Sequence, residues 1–287
     1  MMSKTKKALK GYLLIAPLMA GCILFYAFPF LLVMRYSFTS GTGDAMVFTG
    51  IDNYLEIMKS DTFRQAFGNS LRFLAVGLPL IMALAYLTAL LMQKQADKHK
   101  LLKSVFLFPY VMPVAGTVLL VDVIFAETGL WNRIVAAMGI PVSDLLSGPM
   151  AFWIVVLLYL WKNMGYSAIL LLAGLITIPG EQYESADLDG ASAWQKFRYI
   201  TTPQMWYSVF FALVFSVINA FKCFREILLI GGRHPNADLY MLQHFLNNSF
   251  ENMNYAKLSV ASILLLLVVL VFFAFFYRFV KKKEVSL

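Results

Sequence analysis

The feature that most constrains this chain is a series of six apolar runs, each close to the ~20 residues that a helix needs to cross a bilayer. The composition agrees, because 60% of the 287 residues are hydrophobic and only 14% are charged. Soluble domains average about 25% charged residues. We therefore predict an all-α polytopic membrane protein in which residues 1–287 form a single transmembrane domain. The predicted spans are 11–34, about 71–92, about 104–126, about 150–173, about 206–230 and about 257–279.

Basic residues are concentrated in alternate segments between these spans. Because lysine and arginine keep loops on the cytoplasmic side, this asymmetry predicts that both termini are cytoplasmic. The net charge of +8 then faces anionic lipid rather than nucleic acid. The basic residues assigned to the cytoplasmic side are Lys4, Lys6, Lys7, Lys10, Lys94, Lys98, Lys100, Lys103, Lys196, Arg198, Arg278, Lys281, Lys282 and Lys283.

The segment between the fourth and fifth spans, EQYESADLDGASAWQKFRYITTPQM at 181–205, is highly charged for so apolar a chain. Glu181 and Glu184 are typical of the first turns of a helix, where acidic side chains meet the positive end of the helix dipole. Gly190 is typical of the turn after a helix, since glycine tolerates the left-handed conformation required there. The first half of the segment therefore predicts a short helix closed by a glycine turn.

The second half of the segment carries the signals of another short helix. Ser192 and Gln195 have the spacing of a capping box, in which each side chain bonds the backbone of the other residue. Pro203 is expected to end this helix before the fifth span. The whole segment thus predicts a helix–turn–helix on the cytoplasmic face. On these signals alone, an amphipathic connector at the membrane surface explains the segment equally well.

The order of residues in this segment matches a known motif, Glu184-Ser185-Ala186-x-x-Asp189-Gly190-Ala191 followed by Phe197, Ile200 and Pro203. It resembles the EAA loop of ABC importer permeases and departs from that loop's core only in Ser185, which replaces the first alanine. The resemblance covers nearly the whole chain and is strongest to the carbohydrate-uptake, maltose-type branch. The further similar stretches are FTGIDNY at 48–54, DTFRQAFGNSL at 61–71, FLFPYVMPV at 106–114, LLLAGLITIPGEQYESADLDGA at 170–191, GG at 231–232 and YAKLSVAS at 255–262.

The resemblance implies the type I ABC importer permease fold, with six transmembrane helices in the cell membrane of a bacterial-type cell. It also implies partners, namely a second permease subunit, two ATPase subunits and an extracytoplasmic solute-binding protein. In such assemblies the coupling loop, here 178–203, docks in a groove of the ATPase, so that closure of the ATPase dimer rocks the spans. The residues that the resemblance assigns to coupling are Glu184, Ser185, Ala186, Asp189, Gly190, Ala191, Phe197, Ile200 and Pro203.

The sequence contains no motif for chemistry of its own. It has no G-x-x-x-x-G-K-[ST] stretch to hold ATP phosphates, and its three histidines are scattered. We therefore expect a permease rather than an enzyme, one that binds no cofactor or metal and relies on partner ATPase subunits to bind ATP and magnesium. A non-ABC channel or secondary transporter and a membrane-embedded enzyme are the alternatives, but neither explains the ordered EAA residues.

Polar residues inside the fourth and fifth spans indicate a substrate path, because such residues usually face the bundle interior or water. Aromatic rings and hydrogen-bonding groups at this depth suit a sugar or oligosaccharide. Glycerol-phosphate-like solutes and polyamines are the alternative substrates, and ties between helices are the alternative role for each polar residue. The path residues, most of them placed by the resemblance, are Tyr159, Lys162, Asn163, Tyr166, Asn219, Ala220, Lys222 and Cys223.

Two of these residues, Lys162 and Lys222, bear on the charge of the substrate. A lysine at the centre of a membrane helix costs about 2.5–3.5 kcal/mol on insertion scales, so each lysine needs compensation. Pairing with Asp122 or Glu226 is one explanation. Contact with an anionic sugar during passage is the other.

Overall fold

The computed structural model describes residues 4–41, 46–94 and 100–284. Lys98, one of the residues assigned to the cytoplasmic side, lies outside the described residues. The described chain is mainly helical, with π-helical turns at Ile23–Ala27 and Phe197–Thr201 and a 3-10 turn at Ala237–Leu239. The helices are α1 (Lys4–Cys22), α2 (Phe28–Ser37), α3 (Asp52–Lys59), α4 (Asp61–Lys94), α5 (Lys100–Val111), α6 (Val114–Phe125), α7 (Leu130–Ala137), α8 (Met150–Leu175), α9 (Gly180–Leu188), α10 (Ala193–Lys196), α11 (Thr202–Gln204), α12 (Trp206–Lys222), α13 (Phe224–Gly231), α14 (Leu242–Glu251) and α15 (Tyr255–Glu284).

Six helical stretches of the described chain are long and apolar enough to cross a membrane, which confirms the predicted number of spans. Pro17 and Pro79 lie inside their helices. Membrane helices tolerate proline where neighbouring groups satisfy the freed carbonyl oxygen. The stretches are Gly11–Ser37, Asp61–Gln93, Val114–Ala137, Met150–Leu175, Trp206–Gly231 and Tyr255–Arg278.

The predicted third span contains a helix break. The stretch 104–126 forms two helices, α5 and α6, separated at Met112 and Pro113. Pro113 has no N–H to continue the helix, and its ring disfavours the helical conformation in the residue before it. Its own ψ of 146° is extended. A long apolar stretch begins after this break and runs over Val114–Ala137. The bounds of the third span stay a prediction.

The contacts of the chain divide it into two units, each described by itself. The first unit comprises the described residues up to Arg64 together with Phe245–Val268. The second comprises Gln65–His244 and the described residues from Val269 onward. The single domain over residues 1–287 stays a prediction.

The first unit contains a hydrogen-bonded loop after α2. Its strands β1 (Thr39–Ser40) and β2 (Val47–Phe48) form an antiparallel pair, the one departure from the all-α class within the described ranges. Asn53 Nδ2 donates to the carbonyl oxygen of Ser37 (3.1 Å), and the Tyr54 hydroxyl donates to Ser37 Oγ (2.9 Å). The Asn-Tyr pair of the FTGIDNY stretch therefore holds this loop against the end of α2.

The second unit is built around α8, the most buried of the six spans in the described chain. Helices α5 and α12 cross α8 at two glycines. A Cβ atom at Gly165 would lie 1.8 Å from the carbonyl oxygen of Phe106 in α5, and one at Gly174 would lie 2.0 Å from Ser208 Oγ in α12. Small residues at such crossings allow the backbones of membrane helices to approach closely, so these glycines set how α8 packs.

Candidate functional site

The first half of the segment between α8 and α12 forms a helix and a glycine turn, as predicted. Helix α9 ends in a Schellman motif. The Ala191 N–H donates to the carbonyl oxygen of Ala186 (2.9 Å), and the Gly190 N–H donates to that of Asp187 (3.1 Å). Gly190 has a φ of +74°, a conformation that is costly for a residue with a Cβ atom. Glycine at this position therefore fixes the direction in which the chain leaves α9.

The predicted capping box opens the second half. The Gln195 N–H donates to Ser192 Oγ (3.3 Å), and the Ser192 N–H donates to Gln195 Oε1 (2.7 Å). A salt bridge between Lys196 and Asp187 joins the two halves. The local chemistry of the sequence and one ion pair thus give the segment a defined shape.

Pro203 does not end the second helix, contrary to the sequence prediction. The chain stays helical through α10, a π-helical turn and α11. Pro203 falls in the first turn of α11, directly after the π-helical turn, so the helix continues past the one N–H that proline lacks. The break comes instead at Met205, before α12 begins at Trp206.

The later residues of the predicted coupling set pack against the helices of their own unit. Phe197 meets Tyr86 of α4 edge-on, with ring centroids 5.8 Å apart. Ile200 packs against an apolar cluster that includes Ile178 and Met205. Phe197 and Ile200 therefore anchor the segment against its own unit, and their role in coupling stays a prediction.

The tip of the segment is exposed and partly apolar. The Leu188 residue is 91% exposed and Trp194 is 68% exposed. Neither residue is among those predicted from the sequence, although a leucine between Asp187 and Asp189 in a polar helix was an available signal. The exposed members of the predicted coupling set include Glu184, Ser185, Asp189 and Gly190, whereas Ala186 and Ala191 are half-buried.

A polar cavity of about 240 Å³ lies beside α8 and the junction of α12 with α13. Glu226 and Arg225 of α13 and Tyr110 of α5 contribute to its lining. The structure thus brings together residues from the fourth and fifth spans that are far apart in sequence. The predicted path residues that line it are Lys162, Asn163, Asn219, Lys222 and Cys223.

A buried ion pair forms part of the cavity wall. Lys162 Nζ donates to Glu226 Oε1, and the two side chains are 13% and 4% exposed. The pair supports compensation of Lys162 within the protein, because an unpaired buried charge is strongly destabilising. Within the described ranges, no salt bridge involves Lys222, Arg225 or Asp122. No group of three His, Cys, Asp or Glu residues is placed there to hold a metal ion.

Two buried atoms in the cavity lining have no hydrogen-bond partner among the described residues, Asn219 Nδ2 and Glu226 Oε2. Asn219 is 5% exposed and Glu226 is 3% exposed. The amide nitrogen of Asn163 differs, because it donates to the carbonyl oxygen of Tyr159 (2.9 Å). Among the buried polar atoms of these lining residues, one donor group and one acceptor therefore lack a partner.

Three predicted path residues lie outside this lining. Tyr159 and Ala220 belong to the buried core of the unit, and the Tyr159 hydroxyl donates to the carbonyl oxygen of Ser216 (2.8 Å). Both residues sit on the packed sides of their helices, and their place on the path stays a prediction. Tyr166 stacks on Tyr110, a lining residue, with ring centroids 4.5 Å apart.

The family model described as "binding-protein-dependent transport system inner membrane component" matches residues 77–285. The chain belongs to this family. It is accordingly a multi-pass inner-membrane component of a binding-protein-dependent transport system, as the EAA resemblance predicted.

Individual relatives of this family member span most of its length. The trehalose/maltose transport system permease protein MalF of Thermococcus litoralis is 29% identical over 270 residues, 91% of this chain and 90% of the relative. The probable ABC transporter permease protein YurN of Bacillus subtilis is 31% identical over 227 residues, 76% of this chain and 77% of the relative.

A solved structure has the same fold. A chain from the crystal structure of a bacterial ABC transporter involved in the import of the acidic polysaccharide alginate matches with a TM-score of 0.83 and 21% identity. The match covers 98% of this chain and 99% of that chain. The predicted type I ABC importer permease fold is confirmed, and the cytoplasmic placement of the termini stays a prediction.

Proposed function

We propose that this chain is a permease subunit of an ABC importer for a sugar or oligosaccharide. The names of its relatives support this substrate class, since they include trehalose/maltose, lactose and arabinooligosaccharide transport system permeases. The proposed assembly adds a second permease subunit, two ATPase subunits that bind ATP and magnesium, and an extracytoplasmic solute-binding protein. In this assembly both termini and the segment 178–203 lie in the cytoplasm.

The observation that carries the coupling role is that the segment between α8 and α12 is both anchored and exposed. Phe197 fixes its base against α4, the Lys196–Asp187 pair joins its halves, and Leu188 projects from its tip. An anchored element of this kind passes the movement of a docked ATPase directly to α8 and α12, because the segment connects those helices. Such rocking of helices around a central site is what alternating access requires.

The cavity beside α8, α12 and α13 is the proposed place of substrate passage. Its lining combines charged side chains with amide groups, and the aromatic pair of Tyr110 and Tyr166 adjoins it. Sugars need hydrogen bonds for their hydroxyl groups and apolar faces for their ring carbons, and this lining offers both.

A substitution at Gly190 tests the coupling role. The space around its Cβ position is open within this chain, so Gly190→Arg leaves the fold intact apart from the cost of its positive φ, about 1–2 kcal/mol. We expect the variant to insert in the membrane while losing ATPase stimulation by the loaded binding protein, because a bulky cation blocks the close approach of the ATPase. The measurement is ATP hydrolysis by the reconstituted complex.

Gly190→Asn is the matched control, because asparagine tolerates the left-handed conformation and adds a smaller, uncharged side chain. We expect it to retain most of the stimulation. Full stimulation in the arginine variant, at equal membrane abundance, would contradict the coupling role.

A further inference from the structure

Helix α3 and the residue before it carry an apolar stripe on the surface of the first unit. Ile51, Leu55 and Met58 are each more than half exposed. At about 100° per residue, these three side chains fall within ~60° of one another around the helix axis. Phe48, three residues ahead of the stripe, is also exposed. A contiguous exposed apolar surface of this kind is typical of a site that binds a protein or a membrane.

The rest of α3 divides into two further faces. Ile57 is buried, and the side chains of Asn53 and Tyr54 donate to Ser37 at the end of α2, so this side packs against the unit. The third face consists of the exposed polar residues Asp52, Glu56 and Lys59. A helix with separate apolar and charged exposed faces is typical of one that lies in the plane of a membrane surface.

The contacts of α3 place it at the boundary of the membrane. Ser37, which it bonds, is the last residue of the first apolar stretch, and Tyr255 is the first residue of the sixth. Glu56 of α3 forms a salt bridge with Lys257 (3.3 Å), close to the start of the sixth stretch. The rings of Tyr36 and Tyr255 meet at the same level, with centroids 5.6 Å apart. Tyrosine is enriched at the level of the lipid headgroups, so α3 lies where the bilayer surface is expected.

We infer that α3 lies in the headgroup region of the bilayer, with Ile51, Leu55 and Met58 inserted among the first carbons of the acyl chains. Its polar face stays in water. The second apolar stretch begins at Asp61, two residues after α3 ends, so the chain has no slack to carry the helix away from the surface. On the proposed orientation, the lipids are those of the extracytoplasmic leaflet.

A protein partner is the competing occupant of the apolar stripe. Stable protein interfaces take about 20–30 residues on each side, whereas the stripe offers four apolar residues and is bordered by a charged face. Its position at the ends of two spans also favours lipid, because lipid surrounds the spans at that level. The inference concerns membrane contact alone and does not depend on which solute is transported.

Fluorescent labels on neighbouring residues of different faces test this placement. In a background without native cysteines, Ile51→Cys and Leu55→Cys are labelled with bimane. Their matched controls are Asp52→Cys and Glu56→Cys, each one residue further along the chain and about 100° further around the helix. The complete transporter is reconstituted in vesicles of phosphatidylcholine and phosphatidylglycerol, either unmodified or brominated on the acyl chains near the headgroup.

We expect brominated lipid to quench the labels at Ile51 and Leu55 at least about twofold more than their controls, because the apolar face of such a helix lies about 5–10 Å into the boundary between headgroups and acyl chains. Iodide, present on both sides of the vesicles, is expected to show the opposite order. Met58→Cys with Lys59→Cys supplies a third pair if one of the other variants does not assemble.

The two quenchers distinguish lipid from the other occupants. Quenching of the labels at Ile51 and Leu55 by iodide but not by brominated lipid would show that the stripe meets water, and would overturn the inference. Protection from both quenchers would show that a protein partner covers the stripe, which also overturns it, as does equal quenching of each pair by brominated lipid. None of these outcomes bears on the proposed function, which is tested by transport and ATPase activity.

Discussion

Truncation of Leu188 to alanine separates folding from docking. The residue is 91% exposed at the end of α9, so its side chain contributes little to the stability of this chain. Leu→Ala removes three carbon atoms, and burial is worth about 0.8 kcal/mol for each CH₂ group. If the ATPase groove covers this side chain, Leu188→Ala weakens binding of the ATPase subunit by about 2 kcal/mol, or about 30-fold.

The assay titrates purified ATPase subunits against the detergent-solubilised permease assembly and compares dissociation constants. Thermal unfolding of the same samples is expected to differ little, because substitutions at exposed positions usually change stability by less than about 0.5 kcal/mol. Leu130→Ala is the matched control, since that leucine is also exposed but lies in α7, outside the segment. Unchanged ATPase affinity in Leu188→Ala, or an equal loss in Leu130→Ala, would refute the docking role of the tip.

Three further predictions concern packing, local structure and topology. Gly165→Ala is expected to destabilise the protein by about 1–3 kcal/mol or more, because its Cβ would meet a backbone carbonyl of α5. Gly68→Ala is the control and is expected to be neutral or stabilising, because the space around its Cβ is open. Thermal unfolding in detergent compares the two variants. Ser192→Ala removes the capping box and is expected to lower the free energy of unfolding by about 1 kcal/mol. Thermal unfolding measures this change, and an unchanged midpoint temperature would mean that the cap contributes nothing to stability. In a background without native cysteines, Asp61→Cys is expected to react with an impermeant maleimide from outside and Glu181→Cys only after permeabilisation; the reverse pattern would show that the predicted orientation is wrong.

Local chemistry in the sequence predicted more than the number of spans. Runs of about 20 apolar residues gave six spans because the hydrophobic requirement of a bilayer depends on composition alone. The capping box at Ser192 and the glycine turn at Gly190 formed as predicted, since each involves residues only a few positions apart. Pro113 was present as a helix breaker in the sequence, but a run of apolar residues does not register it, so the break between α5 and α6 was not predicted.

The sequence alone determined that this chain is a helical membrane protein with an EAA segment between its fourth and fifth spans. Only the tertiary structure decided which face of each helix packs in the core and which lines the cavity. Tyr159 and Lys162 are one turn apart in α8, yet one lies in the core and the other forms an ion pair at the cavity. The partner of Lys162 is Glu226, on another helix, and the sequence does not show which polar atoms of Asn219 and Glu226 are left without a partner. In a span that is apolar on every side, composition does not reveal which side of the helix faces the rest of the protein. Close helix crossings, such as that at Gly165, set this orientation instead.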